Sequence, residues 1–193
     1  MMNMPKSRLE AFSDGVLAII ITIMVLEMKV PHSRDLEALR PLVPVFFSYL
    51  LSYIYVGIYW NNHHHLLHAA PHINGKIMWA NLHLLFWLSL IPFATGWLGE
   101  NFGGTWPTVL YGAVLLFAAL AYTLLQALIV SAHGKNSGIS AVIGSDWKGR
   151  LSLAAYLTAI LLAFVHQTLS HALYALVALM WFIPDRRIEK LPV

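Results

Sequence analysis

Long apolar runs separated by short polar segments extend along most of the chain. The first run, 12–30, contains 19 residues. At a rise of 1.5 Å per residue this is long enough to cross a bilayer core of about 30 Å. The pattern predicts an all-α integral membrane protein, one domain over 1–193, with six transmembrane helices at about 7–30, 42–62, 76–98, 106–131, 151–166 and 168–183.

Prolines mark the ends and irregularities of these helices. Pro31 follows the first run, where it is expected to end the helix, because proline cannot donate a backbone hydrogen bond. Pro41 and Pro44 lie at the start of the second helix, where proline is tolerated. Pro92 lies within the third helix and predicts a kink there. The last two helices are at the lower limit of spanning length.

The composition agrees with a membrane protein and excludes several other classes. Hydrophobic residues make up 59% of the chain and charged residues 11%, against about 25% charged in soluble domains. The chain has no cysteine, which excludes disulfides, thiolate metal sites and cysteine catalysis. A sequence pI near 9.2 arises from few charges. Without a basic run interleaved with aromatic residues, it does not indicate nucleic-acid binding.

The distribution of Lys and Arg predicts the orientation. The segments on the side of the N-terminus carry nine basic residues: Lys6, Arg8, Lys76, Lys135, Lys148, Arg150, Arg186, Arg187 and Lys190. The segments on the other side carry three: Lys29, Arg34 and Arg40. Both termini are therefore expected to be cytoplasmic. The first apolar run is expected to be retained rather than cleaved as a signal peptide, because no small-x-small site follows it.

The first helix has two distinct faces. At 100° per residue, one narrow stripe comprises Arg8, Phe12, Gly15, Ile19, Thr22, Ile23 and Leu26. Ser13 and Asp14 lie on the other side. Ile20 and Ile21, about 100° and 160° from Ile19, are expected to face lipid. Apolar residues at such spacing most often pack against lipid or another helix, so the stripe alone does not assign a role.

Ser13 and Asp14 require hydrogen-bond partners, because a polar group is costly where water is scarce. The predicted topology brings the start of helix 1 to the level of the end of helix 2 and the start of helix 3. The candidate donors to Asp14 are Trp79, Asn81, His83, His63 and His64. A structural clamp between helices is favoured over direct ion coordination by Asp14.

Histidines suggest a second possibility, a metal or haem site. His64 and His68 are four residues apart, which places two imidazoles on one helical face. No neighbouring acidic residue completes a metal-hydrolase motif. We therefore expect this cluster, His63 to His68, to solvate a helix end or contact lipid phosphates. The sequence predicts no metal site.

The opening motif resembles a known family. Arg8-x-x-x-Phe12-Ser13-Asp14-Gly15 at the start of the first helix resembles the signature of the transmembrane-protein-175-type potassium channels. Two further stretches, 57–64 and 81–93, are similar to that family. A single set of six helices resembles the bacterial form, which in this family is a tetramer.

The resemblance implies roles for individual residues. Ile19, Ile23 and Leu26 would line the pore and narrow it with apolar rings. Thr22 would offer a hydroxyl for selectivity. The family signature and the inter-helix clamp would together comprise Arg8, Phe12, Ser13, Asp14, Gly15, Trp79, Asn81 and His83. Glu27 either concentrates cations at the outer mouth or is an ordinary interfacial anion.

The sequence lacks the Thr-Val-Gly-Tyr-Gly stretch that builds a carbonyl-ring filter, so selectivity would come from side chains and is expected to be modest. The resulting hypothesis is a homotetrameric, potassium-preferring cation channel in a bacterial plasma membrane. It has no catalytic residue and no cofactor besides permeant K⁺, and its partners are its own copies, monovalent cations and lipid. The alternatives are a membrane redox or metal enzyme that uses the histidines, and a transporter or proton-leak protein.

Overall fold

The computed structural model describes residues 5–70, 72–133 and 146–182. The described residues form seven α-helices and one 3₁₀ helix. In chain order they are α1 Lys6–Leu26, the 3₁₀ helix η1 Leu36–Leu42, α2 Val43–Ala69, α3 Gly75–Ser89, α4 Ile91–Glu100, α5 Thr105–His133, α6 Trp147–Leu162 and α7 Gln167–Phe182. The protein is thus all-helical over the part of the chain that the structure describes.

The predicted third helix is broken into α3 and α4. Leu90 lies between them in a turn, and its N–H donates to the carbonyl of Trp87. Pro92 occupies the first turn of α4, where its missing N–H leaves no intrahelical bond unmade. The kink expected from Pro92 is present, and it takes the form of a break between α3 and α4, after the 15 residues of α3.

Two helix ends differ from the sequence prediction. The first helix ends at Leu26 rather than near residue 30. Val30 precedes Pro31, and a residue before proline disfavours the helical conformation. The second helix continues to Ala69 rather than ending near residue 62. Asparagine and histidine are weak helix formers but not helix breakers, so the histidine cluster forms the last turns of α2.

The last two helices begin and end earlier than expected, at 147–162 and 167–182. The start of α6 is fixed by Asp146, whose carboxylate accepts the N–H of Gly149 at 2.8 Å as an N-cap. Of the basic residues used for orientation, Lys135, Arg186, Arg187 and Lys190 lie outside the described residues. So does most of the polar segment expected at 132–149.

Four stretches of the described chain are long and apolar enough to cross a membrane. They are Lys6–Leu26, Leu36–Ala69, Gly75–Glu100 and Thr105–Ala132. Each of α6 and α7 contains 16 residues, which corresponds to about 24 Å of helix. The protein is therefore a membrane protein, and membrane crossing by the last two helices stays a prediction.

Successive long segments alternate in direction, which defines two ends of the bundle. At one, the Lys6 end, Lys6 Nζ donates to the carbonyl of His68 at 2.7 Å. At the other, the Lys29 end, Lys29 Nζ donates to Glu100 Oε1 at 2.6 Å, a contact that raises the pKa of Lys29. The start of α1, the end of α2 and the start of α3 thus lie at the same end.

The core lies around α5, which packs against α3, α4, α6 and α7. Its inward face carries small, aromatic and branched aliphatic residues, including Tyr111, Ala118 and Leu125, each at most 1% exposed. The Ser52 hydroxyl, buried in this core, is paired with two others: it lies 2.9 Å from Tyr111 Oη and 2.7 Å from Thr95 Oγ1. A membrane interior offers no water to such groups, so internal pairing is required.

Gly112 tests this packing. A methyl group there would collide with the Tyr174 hydroxyl and lie 2.9 Å from Ile160 Cγ1. The Tyr174 hydroxyl is held by its bond to the carbonyl of Thr108 at 3.0 Å. We expect Gly112→Ala to destabilise the protein by about 1–3 kcal/mol through overpacking, measured by thermal unfolding in detergent.

The matched control is Gly57→Ala, since nothing lies within 4 Å of a methyl group at this glycine of α2. Here we expect no loss, or a gain of up to about 1 kcal/mol from helix propensity. Equal unfolding temperatures for the two variants would contradict the close approach of α5 and α7.

Candidate functional site

Helix α1 buries one face and leaves the other uncovered. The buried residues recur at helical spacing, and each is at most 3% exposed: Leu9, Ser13, Leu17, Ile20 and Met24. This face packs against α2, α3 and α4. No other described element of the protomer covers the opposite face.

The uncovered face carries the whole predicted stripe. Phe12, Ile19, Ile23 and Leu26 are 54%, 59%, 41% and 75% exposed, and Arg8, Gly15 and Thr22 are also exposed. The Thr22 hydroxyl donates to the carbonyl of Ala18 at 2.9 Å. The structure thus presents all seven residues of the stripe on one open surface of α1.

The prediction for Ile20 was wrong. Ile20 is 3% exposed and belongs to the core, rather than facing lipid. On the helical wheel it lies about 20° from Ser13, so it belongs to the same buried face of α1 as the serine that accepts the Asn81 amide. Ile21 is partly buried and packs against the edge of the core.

A buried chain of polar groups joins α1, α3 and α2. The Asn81 amide donates to Ser13 Oγ at 2.9 Å, and Asn81 Oδ1 lies 2.6 Å from His63 Nε2. The Ser13 hydroxyl donates in turn to the carbonyl of Leu9 at 2.8 Å. Since Asn81 Oδ1 can only accept, His63 Nε2 carries the proton and donates. All three side chains are at most 3% exposed.

Asp14 has a partner that the sequence analysis missed. Trp60 Nε1 donates to Asp14 Oδ1 at 3.0 Å, and none of the five expected donors does so among the described hydrogen bonds. Trp60 precedes His63 and His64 by about one turn of α2, which places its indole beside α1. The Trp60 ring also stacks on His64, with centroids 6.2 Å apart.

Two residues expected in the clamp lie outside it. Trp79 is 69% exposed and makes no described hydrogen bond to α1. His83 accepts from Trp87 Nε1 at 2.9 Å, one turn further along α3. Both residues are on the exposed side of α3, whereas Asn81 is on its buried side. Of the three candidates on α3, only Asn81 joins the polar chain.

Glu27 is the first residue after α1, at the Lys29 end. It lines a cleft of about 940 Å³ between the end of α1, the start of α2 and α4. Its Oε2 lies 3.9 Å from the position of a methyl group at Gly96 of α4. The carboxylate is exposed, and Glu100 is the second acidic residue of the cleft wall.

The histidine cluster forms a stacked column on the exposed side of α2. The rings of His64 and His68 are nearly parallel, with centroids 6.1 Å apart. Within the described residues, no group of three or more histidine, aspartate or glutamate side chains is placed to hold a metal ion. His63 turns away from this column toward Asn81.

Comparison with known proteins identifies the family. The family model described as "Endosomal/lysosomal potassium channel TMEM175" matches residues 8–92. A potassium channel of Chryseobacterium sp. (strain P1-3) is 52% identical over 187 residues, which cover 97% of each chain. A potassium channel of Streptomyces collinus is 30% identical over 91% of each chain.

A solved structure agrees with these sequence matches. The crystal structure of a lysosomal potassium-selective channel TMEM175 homolog from Chamaesiphon minutus superimposes with a TM-score of 0.80. It is 27% identical and covers 94% of this chain and 97% of that one. The chain therefore belongs to the TMEM175 family, a family of potassium channels and not of enzymes.

Proposed function

We propose that the chain forms a homotetrameric, potassium-preferring cation channel whose pore is lined by four copies of α1. The observation that carries this proposal is the uncovered stripe of α1, which is apolar at Ile19, Ile23 and Leu26 yet is covered by no other described element of the protomer. One helix presents too narrow a surface to enclose a passage, so several copies must surround the axis.

The chemistry of the stripe suits an apolar constriction. Ile19 and Leu26 are seven residues apart, or roughly 10 Å of helix. Four copies would therefore place three apolar rings in series. Water in such a passage has few hydrogen-bond partners, so an ion meets a dehydration barrier. This barrier acts on all ions and does not itself select potassium.

Thr22 supplies the polar element of the passage. Its proton is donated to Ala18, so the oxygen lone pairs remain available to a cation. This arrangement supports a role in selectivity, because the oxygen can replace part of the hydration shell. Glu27 would attract cations at the Lys29 end of the passage, where Glu100 lines the same cleft.

The polar chain from Ser13 to His63 would hold the start of α1 in register. The bond between Asp14 and Trp60 adds a second, exposed link. Both lie away from the stripe, which supports a structural role rather than ion coordination by Asp14. Membership of a channel family sets aside the redox-enzyme alternative, and no cofactor besides the permeant ion is proposed.

The orientation and location are also proposals. In the described residues, Lys6, Arg8, Lys76, Lys148 and Arg150 belong to the segments at the Lys6 end, against Lys29, Arg34 and Arg40 at the other. The positive-inside rule then places the Lys6 end, and with it both termini, in the cytoplasm. The membrane would be the bacterial plasma membrane, as in the bacterial relatives.

The constriction is tested by flux from potassium-loaded liposomes. We expect Ile19→Asn to raise potassium flux about tenfold, which corresponds to a barrier lower by about 1.4 kcal/mol, and to weaken discrimination among cations. The control is Val25→Ala, an exposed residue about 120° from Ile19 on α1, which should leave flux unchanged. Unchanged flux for Ile19→Asn with altered flux for Val25→Ala would place the pore on another face.

The role of the Thr22 hydroxyl in selectivity is tested separately. Thr22→Val removes the hydroxyl oxygen and keeps the shape of the side chain, so the channel should fold and conduct. We expect its ratio of potassium to sodium flux to fall toward one, measured in the same liposomes. Thr123→Val, which removes a similar exposed hydroxyl of α5 bonded to Ala119, is the matched control. A wild-type ratio for Thr22→Val would exclude Thr22 from selectivity.

The clamp is tested by stability. Asn81→Leu leaves His63 Nε2 without its buried partner and removes the bond from α3 to Ser13, which keeps only its bond to the Leu9 carbonyl. We expect a loss of about 1–3 kcal/mol for the stranded imidazole. Asp14→Ala should cost less, because its bond to Trp60 is exposed. The control is the exposed Asn61→Leu. Thermal unfolding in detergent measures all three. If Asn81→Leu unfolded at the normal temperature but had altered ion selectivity, the polar chain from Ser13 to His63 would belong to the pore.

A further inference from the structure

A groove that the proposed channel does not use lies at the Lys6 end. It runs between the first two turns of α3 and the last three turns of α5, and its volume is about 920 Å³. Its far wall is formed by Leu124 and Leu128 of α5, and its near wall by Trp79 of α3. The indole of Trp79 is 69% exposed and is not bonded to α1.

The groove becomes less polar along its length. Asn74, Lys76 and Ser131 lie at its open end, where the two helices reach the surface. Trp79 and Leu128 lie one turn deeper. Leu124 and His83 lie two turns deeper, where the imidazole of His83 accepts the indole N–H of Trp87. A phospholipid has this same order of chemistry from headgroup to acyl chain. The direction also matches, because the polar end of the groove is at the end of the bundle.

The polar end offers donors and a positive charge. Asn74 Oδ1 accepts the N–H of Ile77 at 3.0 Å, so the amide group of Asn74 remains to donate. Lys76 carries a cation, and Ser131 a hydroxyl. No aspartate or glutamate is among the described residues that line the groove. These groups complement a phosphate and repel no anion.

We propose that this groove binds an anionic phospholipid, with the phosphate at Asn74 and Lys76 and an acyl chain along Leu124 and Leu128. Trp79 would lie at the level of the glycerol backbone, where the amphipathic indole is favoured. The site depends on membrane insertion and not on the proposed pore. A failed flux experiment would therefore leave it standing.

Fluorescence quenching tests the proposal in the full chain. The protein is reconstituted in phosphatidylcholine vesicles that contain a minor fraction of phosphatidylglycerol brominated on its acyl chains. The difference between wild type and Trp79→Phe isolates the quenching of Trp79. We expect brominated phosphatidylglycerol to quench Trp79 more strongly than brominated phosphatidylcholine at equal fraction. Equal quenching by the two lipids would overturn the proposal.

The charge is tested with a matched pair of variants. Lys76→Gln should lower the preference for phosphatidylglycerol about fivefold, since one lysine near a membrane surface is worth ~1 kcal/mol. Arg150→Gln removes an exposed basic residue at the same end, outside the groove, and should leave the preference unchanged. A loss of preference in both variants would indicate a diffuse surface charge and overturn the site.

Two further measurements distinguish a bound lipid from free phosphate and from a second copy of the chain. Soluble glycerol phosphate should not abolish the quenching difference; if it does, the groove is a free-phosphate site rather than a lipid site. Size-exclusion profiles in detergent should be identical for wild type and Lys76→Gln. A changed oligomeric state would make the groove a contact between copies of the chain and contradict the lipid assignment.

Discussion

The hydrogen bond between Asn81 and Ser13 fixes the rotation of α1 about its own axis. Within a membrane, a polar group that lacks a partner costs several kcal/mol, whereas exchanging one apolar side chain for another against lipid costs little. A helix that is apolar on all sides therefore has its rotation set by its few polar residues. Ser13 lies about 120° from Ile19. When Ser13 is paired with α3, the face that carries Ile19 is left uncovered.

The two ends of α1 are held by interactions of different strength. At the Lys6 end, the chain from Ser13 to His63 is buried, and a buried pair is costly to break. At the Lys29 end, the ion pair of Lys29 and Glu100 has side chains 81% and 53% exposed, and exposed pairs contribute little. Of the three apolar residues proposed to line the pore, Ile19 is therefore nearest the buried hydrogen bonds of Ser13, and Leu26 is farthest from them. A constriction of fixed dimensions is better placed at Ile19 than at Leu26.

The sequence alone predicted which residues share the exposed stripe of α1, but not which residues pack around the rest of the helix. A period of 3.6 residues groups Phe12, Ile19 and Leu26 whatever the neighbouring helices do, and the structure exposes this group. Ile20 was assigned to lipid because it is turned by about 100° from Ile19. An apolar residue away from the stripe can face either lipid or a neighbouring helix in a membrane protein. The position of Ser13 would have predicted the burial of Ile20, since both residues lie on the same side of α1. The partner of Asp14, Trp60, could not be identified because its position depends on how α2 is rotated and where it ends. The almost uniformly apolar sequence of α2 determines neither.

The geometry of Thr22 limits what a pore of this kind can achieve. Each copy contributes one hydroxyl oxygen, whose orientation is fixed by its bond to the Ala18 carbonyl. A fourfold ring would then offer four oxygens in one layer, whereas a carbonyl filter offers several stacked rings that replace the hydration shell. An ion that passes Thr22 must therefore keep part of its water. Retained water reduces the difference between potassium and sodium, since the larger part of that difference lies in the cost of removing it. In the proposed pore, modest selectivity would thus follow from the number of oxygens on one helix face, and adding bulk at Ile19 would not compensate for it.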